Sequence, residues 1–164
     1  MSRTRAALID GARRSIEKVG VRQTSMADIA DLGQIARATL YNHFRSKQDV
    51  FLALAEDEIE QMRTLALEQP TLDSALLALA THVRDHPILV PIVEREPEIV
   101  ALLTRITPHE VWLSARSALA DVYARHRTSE PNPAAVDIAL RWLVTQISSP
   151  SEDLRRSVAV IATL

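Results

Sequence analysis

The stretch ADLGQIARATLYNHFRSK, Ala30 to Lys47, decides how the rest of the chain is read. Apolar residues recur at helical spacing on both sides of Gly33-Gln34: Ile29 and Leu32 before it, Ile35 and Leu40 after it. Gly33 ends the first run after about two turns, and a second short run covers roughly Ala36 to Asn42. Two short helices joined by a tight turn, braced by a preceding helix, have the geometry of a helix-turn-helix. The N-terminal, outward part of the second helix then meets base edges in a major groove. Here that part carries Arg37, Ala38 and Thr39.

The neighbouring residues fit the same reading. The chain has two Trp, two Tyr and two Phe, and Tyr41, Phe44 and Phe51 all fall in one short segment. Phe44 and Phe51 supply the apolar area that fixes the short second helix against its neighbours. Tyr41 adds a hydroxyl, His43 a ring N–H, and Lys47 a cation in the first turn of the next helix. A phosphate favours that position through free backbone N–H groups and the macrodipole. Ser46-Lys47-Gln48-Asp49 has the spacing of a capping box, with Asp in place of the usual Glu.

Working outward, the pattern predicts a first helix from about Thr4 to Val19, with Leu8, Ala12, Ile16 and Val19 inward, stopped by Gly20. Thr24 or Ser25 caps the short helix carrying Met26, Ile29 and Ala30. A longer helix runs from Ser46 to about Glu68, with Phe51, Leu52, Ala55, Ile59, Met62 and Ala66 on its stripe. It is long enough to leave one module and enter the next. Thr107-Pro108, Asn132-Pro133 and Ser149-Pro150 mark further helix starts, giving helices near 71–86, 88–94, 97–105, 108–127, 133–148 and 150–164. The expected fold is all-α: a helix-turn-helix domain over 1–46, then a helical domain over 47–164.

Composition narrows the function classes. The chain has 164 residues, enough for one sizeable core or two small ones, and its lack of cysteine excludes disulfides, thiolate metal sites and a cysteine nucleophile. No secretory signal is visible and no apolar run approaches the ~20 residues of a membrane span, so a cytoplasmic protein without a membrane partner is expected. The net charge of −2 hides an asymmetry. Residues 1–50 hold nine Lys/Arg against five Asp/Glu, leaving ten bases against sixteen acids elsewhere. A basic third on an acidic body suits a nucleic-acid partner. There is no Gly-rich phosphate loop, nucleophile elbow or zinc-hydrolase motif, so an enzyme is not expected.

Residues 4–54 resemble the DNA-binding domain of TetR-family transcriptional regulators. The matching marks are Thr24, Ile29-Ala30, Ile35, Thr39-Leu40-Tyr41, His43-Phe44 and Ser46-Lys47. The resemblance implies a repressor that binds a palindromic operator in double-stranded DNA as a homodimer and releases it when a small-molecule effector enters the C-terminal domain. It implies base reading by Arg37 and Thr39, with Ala38 against a thymine methyl, and phosphate contacts from Thr24, Tyr41, His43 and Lys47. Two positions depart from the family. Gln34 stands where a turn glycine is usual, which places a left-handed conformation on a residue with a Cβ. Ala36 stands where Ser or Thr usually caps the recognition helix, forfeiting roughly 1 kcal/mol.

The resemblance also implies that the last two long helices pair with those of a second subunit. The helix after Pro133 is apolar nearly all round and the chain end is hydrophobic, so Trp142, Leu143, Leu154, Val158 and Ile161 are candidate interface residues. Trp112, Arg116 and Tyr123 lie along one side of their helix and are candidates for a ligand pocket with a cation. His82 and His86 have a chelating i, i+4 spacing, but no motif supplies a third ligand, so no metal or cofactor is expected. Asp57/Glu58 read as helix surface, and the run Val93 to Glu98 as a solvated turn. The alternative function is a small-molecule or lipid-binding helical dimer that has lost specific DNA reading.

Overall fold

The structure, a computed structural model, describes residues 3–99, 110–128 and 130–164. Among them there is no β-strand, as the sequence pattern predicts. The helices are α1 (Arg3–Gln23), α2 (Met26–Leu32), α3 (Arg37–His43), α4 (Lys47–Leu67), α5 (Leu72–Arg84), α6 (Leu89–Arg95), α7 (Glu110–His126), α8 (Pro133–Thr145) and α9 (Leu154–Ile161). The helix expected near 97–105 and the Thr107 cap lie largely outside the described residues. Two apolar cores form. The first gathers Leu8, Ile9, Ile16, Ile29, Leu40 and Phe44; the second is built from α5, α7, α8 and α9 around Leu76, Leu79, Tyr123 and Val136.

α4 serves both. Val50, Ala53 and Leu54 enter the first core, while Met62 and Ala66 pack in the second. α6 returns toward the N-terminus, where Ile88 at its start and Ile92 within it complete the first core. The expected boundary between residues 46 and 47 therefore falls at the start of the helix that the two cores share.

Local chemistry explains the reading head. α1 and α2 cross so closely at Gly11 that a Cβ there would lie 2.4 Å from the Ile29 carbonyl oxygen. Gly20 breaks α1 with φ 85° and ψ 172°, and one further turn continues to Gln23. Ser25 caps α2: its hydroxyl accepts from Asp28 N–H, and its own N–H donates to the Asp28 carboxylate at 3.0 Å. Arg14 donates to the Leu32 carbonyl at the far end of α2, where a cation opposes the negative pole of the helix.

Both departures at the turn take the expected form. Gln34 is left-handed, with φ 55°, and Ala36 makes no side-chain cap on α3. α3 is held instead by its buried side, where Leu40 is fully buried and Phe44 nearly so. The Ser46/Asp49 capping box is formed, Thr71 caps α5 with Ser74, and Asn132 caps α8 ahead of Pro133.

The last helix differs from expectation. It begins at Leu154 with Asp153 as cap, because the buried Gln146 side chain ties Ser151 to the end of α8. Its amide accepts from Ser151 N–H at 2.9 Å and donates to the Trp142 carbonyl at 3.0 Å, so residues 149–151 are held outside the helix.

Two outcomes test these local arguments. Gln34→Gly relieves the left-handed strain and is expected to raise stability by about 0.5–1 kcal/mol, and Ala36→Ser by roughly 1 kcal/mol, both measurable by urea unfolding. Asp28 is held below the ordinary value of 3.8 by hydrogen bonds from the Ser25 hydroxyl and backbone. Its contribution to stability is therefore full above pH 3.8 and is lost as pH falls through the folded-state value. NMR titration of the Asp28 carboxyl should show the low midpoint, and Ser25→Ala should return it toward 3.8.

Candidate nucleic-acid interface and buried cavity

α3 presents a sharply divided surface. Leu40 turns inward, while Arg37, Ala38, Tyr41, Asn42 and His43 are exposed and Thr39 is half-buried. Tyr41 keeps 57% of its surface accessible, so its ring is not core packing. The Arg37 guanidinium lies 3.5 Å from the Asp31 carboxylate, with both side chains mostly exposed. Such a pair is weak and leaves the guanidinium able to swing. The three candidate base readers and Tyr41 and His43 thus share the outward side of one short helix.

Two candidate phosphate residues are otherwise engaged. Thr24 is almost fully buried; its hydroxyl donates to the Gly20 carbonyl at 2.7 Å and accepts from Ser15 at 3.0 Å. That side chain closes the kink at Gly20 within α1 and does not reach the surface. Lys47 donates to the carbonyls of Val21, Arg22 and Thr24 at 3.0–3.3 Å, with its ammonium 5.6 Å from the centre of the Phe51 ring. The cation binds the carbonyl end of α1's last turn to the start of α4. The first turn of α4 is also occupied: the Asp49 carboxylate accepts from the N–H groups of Arg45 and Ser46. An anion there would face Asp49.

The run Val93 to Glu98 is not simply a solvated turn. Glu96 is buried, and its carboxylate accepts from Val21 N–H at 2.7 Å and Arg22 N–H at 2.9 Å. A Cβ at Gly20 would lie 2.8 Å from the same carboxylate. Arg22 adds an ion pair to Glu98 at 2.7 Å. The end of α6 thereby caps the broken end of α1. The sequence held no local signal for this, since Glu94, Glu96 and Glu98 are alike until the fold selects one.

Asp57/Glu58 also depart from the surface reading. Arg13 donates to Glu58 at 2.8 Å and Asp57 at 3.0 Å, and Glu58 lies 3.0 Å from His86 Nε2. Burial would raise the Glu58 carboxyl, but hydrogen bonds from His86 and Arg13 and the guanidinium charge hold it below its usual 4.5. His86 sits beyond the end of α5, and its Nδ1 accepts from Ile88 N–H. The two histidines thus do not share one regular helical face, yet their ring centres are 5.0 Å apart.

Two adjoining cavities open between the cores. One, of about 210 Å³, is walled by Trp112 with Leu79, Leu119, Leu140 and Leu143. The other, of about 240 Å³, is walled by Ile16, Phe51, Ile92, Glu58 and His86. Both touch Ile59, Met62, Leu89 and Val111. Of the expected pocket residues only Trp112 lines a cavity. Arg116 is half-exposed and paired with Asp137 at 3.5 Å. Tyr123 is buried toward α9, its hydroxyl 3.5 Å from the Ile161 carbonyl. Leu119 and Val122 of the same helix do line the cavity, and Tyr123, one residue on, points instead toward α9.

The candidate interface residues are also engaged within the chain. Leu143, Val158 and Ile161 are buried in the chain's own second core, with Leu154 and Trp142 partly buried against it. A helix apolar nearly all round is covered here by α5 and α7 as well as by its neighbour. The large apolar side chains left outward on α8 and after it are Ile138, Val160 and Leu164.

Comparison with known proteins agrees with this architecture. Residues 8–54 match the profile of "Bacterial regulatory proteins, tetR family". The transcriptional regulator TtgR of Pseudomonas putida is 42% identical over 53 residues, which are 32% of this chain and 25% of TtgR. The matched part is thus about a quarter of that relative's length. The crystal structure of the TetR family repressor AlkX from Dietzia sp. strain DQ12-45-1b, implicated in biodegradation of n-alkanes, superposes with a TM-score of 0.72 at 22% identity, covering 97% of this chain and 93% of that one. FadR from Bacillus subtilis, solved in complex with stearoyl-CoA, has a TM-score of 0.56 at 16% identity over 97% and 96% of the two chains. The relatives that match in sequence are transcriptional regulators and not enzymes.

Tyr41 and Lys47 should separate surface from scaffold. Tyr41→Ala is expected to leave the melting temperature within about a degree, as an exposed substitution. Lys47→Ala strands the carbonyls of Val21, Arg22 and Thr24 and should cost about 1–3 kcal/mol by urea unfolding.

Proposed function

By its first third the chain belongs to the TetR family of transcriptional regulators, and from that premise we propose that it is a cytoplasmic repressor. It binds a palindromic operator as a homodimer and releases it when an apolar small molecule fills the adjoining cavities. The observation that carries the DNA reading is α3: a helix pinned by Leu40 and Phe44 that holds Arg37, Ala38 and Tyr41 outward. Arg37 and Thr39 read base edges, Ala38 meets a thymine methyl, and Tyr41 and His43 hold phosphate. A two-fold operator requires two heads, and Ile138, Val160 and Leu164 supply the outward apolar surface on which α8 and α9 meet a second copy. The walls shared by the cavities, Ile59, Met62, Leu89 and Val111, favour an effector with little polarity. Among the described residues no single helix is long and apolar enough to cross a membrane.

Selection from a random duplex pool, followed by anisotropy titration of the winner at several salt concentrations, tests this reading. A palindrome should be enriched, with affinity falling steeply as salt rises. Arg37→Ala should cost about 1–3 kcal/mol on that duplex and relax preference at one position in each half-site. A second reading rests on Gln34 and Ala36, the two weak points of the turn: an apolar-molecule binder that no longer reads sequence. A folded dimer that enriches no sequence would establish it instead.

A further inference from the structure

We propose that Glu58, His82 and His86 form a divalent transition-metal site, suited to zinc, between α4, the last turns of α5 and the turn that follows α5. One ligand atom from each lies within 4.8 Å of the others. The pairing expected from sequence lacked a third ligand, and α4 brings Glu58 to it. His86 Nε2 is already 3.0 Å from the Glu58 carboxylate, so an ion can replace the proton between them. His82 adds the independent observation. Its Nε2 is buried and is the one buried side-chain nitrogen or oxygen among the described residues without a hydrogen-bond partner. A desolvated, unpartnered ring nitrogen on an imidazole packed edge-on against a second one, beside a carboxylate, is what a metal completes.

The donor set selects the ion. Two imidazole nitrogens and one carboxylate oxygen, with no thiolate, suit Zn²⁺ and neighbouring first-row dications better than Cu(I) or Ca²⁺. Beside the site the carboxylates of Asp57 and Glu58 share one guanidinium, that of Arg13. Three protein ligands leave one coordination position open. Glu58 and His86 also line the 240 Å³ cavity, so that position faces the space where a small molecule would lie.

Loading has a defined cost. Ile88 N–H donates to His86 Nδ1, so the neutral ring carries its proton on Nε2. A metal on Nε2 sends that proton to Nδ1, and the contact with Ile88 must open. Ile88 immediately precedes α6, and α6 leads to Glu96 on the end of α1. Occupancy is thereby felt at the base of the DNA-reading head. The proposal stands apart from the DNA reading and is tested without DNA.

The full chain, stripped with a chelator, is titrated with Zn²⁺ against a chromophoric competitor, and separately with Co²⁺ while its visible spectrum is recorded. The expected result is one ion per chain, with Co²⁺ bands of low-symmetry nitrogen and oxygen ligation. His82→Ala, checked for folding by circular dichroism, should weaken binding on the order of 100-fold and abolish the bands. Glu58→Gln should weaken it similarly. Binding that survives His82→Ala in a folded protein, for example through His43, His109 or His126, would overturn the proposal. So would a wild-type chain that fails to compete for Zn²⁺ at micromolar concentrations.

Discussion

The close crossing of α1 and α2 at Gly11 is the constraint from which the reading head follows. With a Cβ at that position the Ile29 carbonyl oxygen would be only 2.4 Å away and the Gly33 nitrogen 2.7 Å away, so the crossing admits glycine alone. The depth at which α2 lies against α1 fixes where the chain must turn. The turn then falls on Gln34 and forces its left-handed backbone. α3 leaves that turn at an angle that buries Leu40 and exposes Arg37. A short helix has little stability of its own, so α3 owes its position to this chain of contacts more than to its sequence.

Polar contacts bind α1, α4 and α6 together around the first core. Arg13 of α1 reaches Asp57 and Glu58 of α4, Glu58 meets His86 before α6, and Glu96 after α6 returns to Val21 and Arg22. Of these residues Val21, Glu58 and His86 also line the 240 Å³ cavity. An occupant that moves α4 or α6 therefore acts on the backbone that supports α2 and α3. If the two sites are coupled, linkage requires that DNA weaken the occupant by the same factor by which the occupant weakens DNA.

Much of this was legible in the sequence. Helical spacing, the Ser46 and Asn132 caps, the left-handed Gln34 and the uncapped Ala36 are local features, decided within a few residues. What was not legible depends on partners far along the chain. Thr24 and Lys47 look like phosphate ligands until the broken end of α1 claims them. Leu143, Val158 and Ile161 look like an interface until α5 and α7 cover them. Glu96 is one of three similar acids, separated by some seventy residues from the amides it binds, and His82 and His86 lacked Glu58 for the same reason. Local pattern identifies elements; it does not say which polar side chain a distant backbone will need.

The return of α6 to the first core also limits how such a chain can be recombined. A graft that carried residues 1–46 onto a foreign body would strip Leu8, Ile9 and Ile16 of Ile88 and Ile92, and leave the Val21 and Arg22 amides without their acceptor. The interchangeable piece extends through Glu96. Chimeras spliced just after the helix-turn-helix should misfold or aggregate where those spliced after α6 remain soluble.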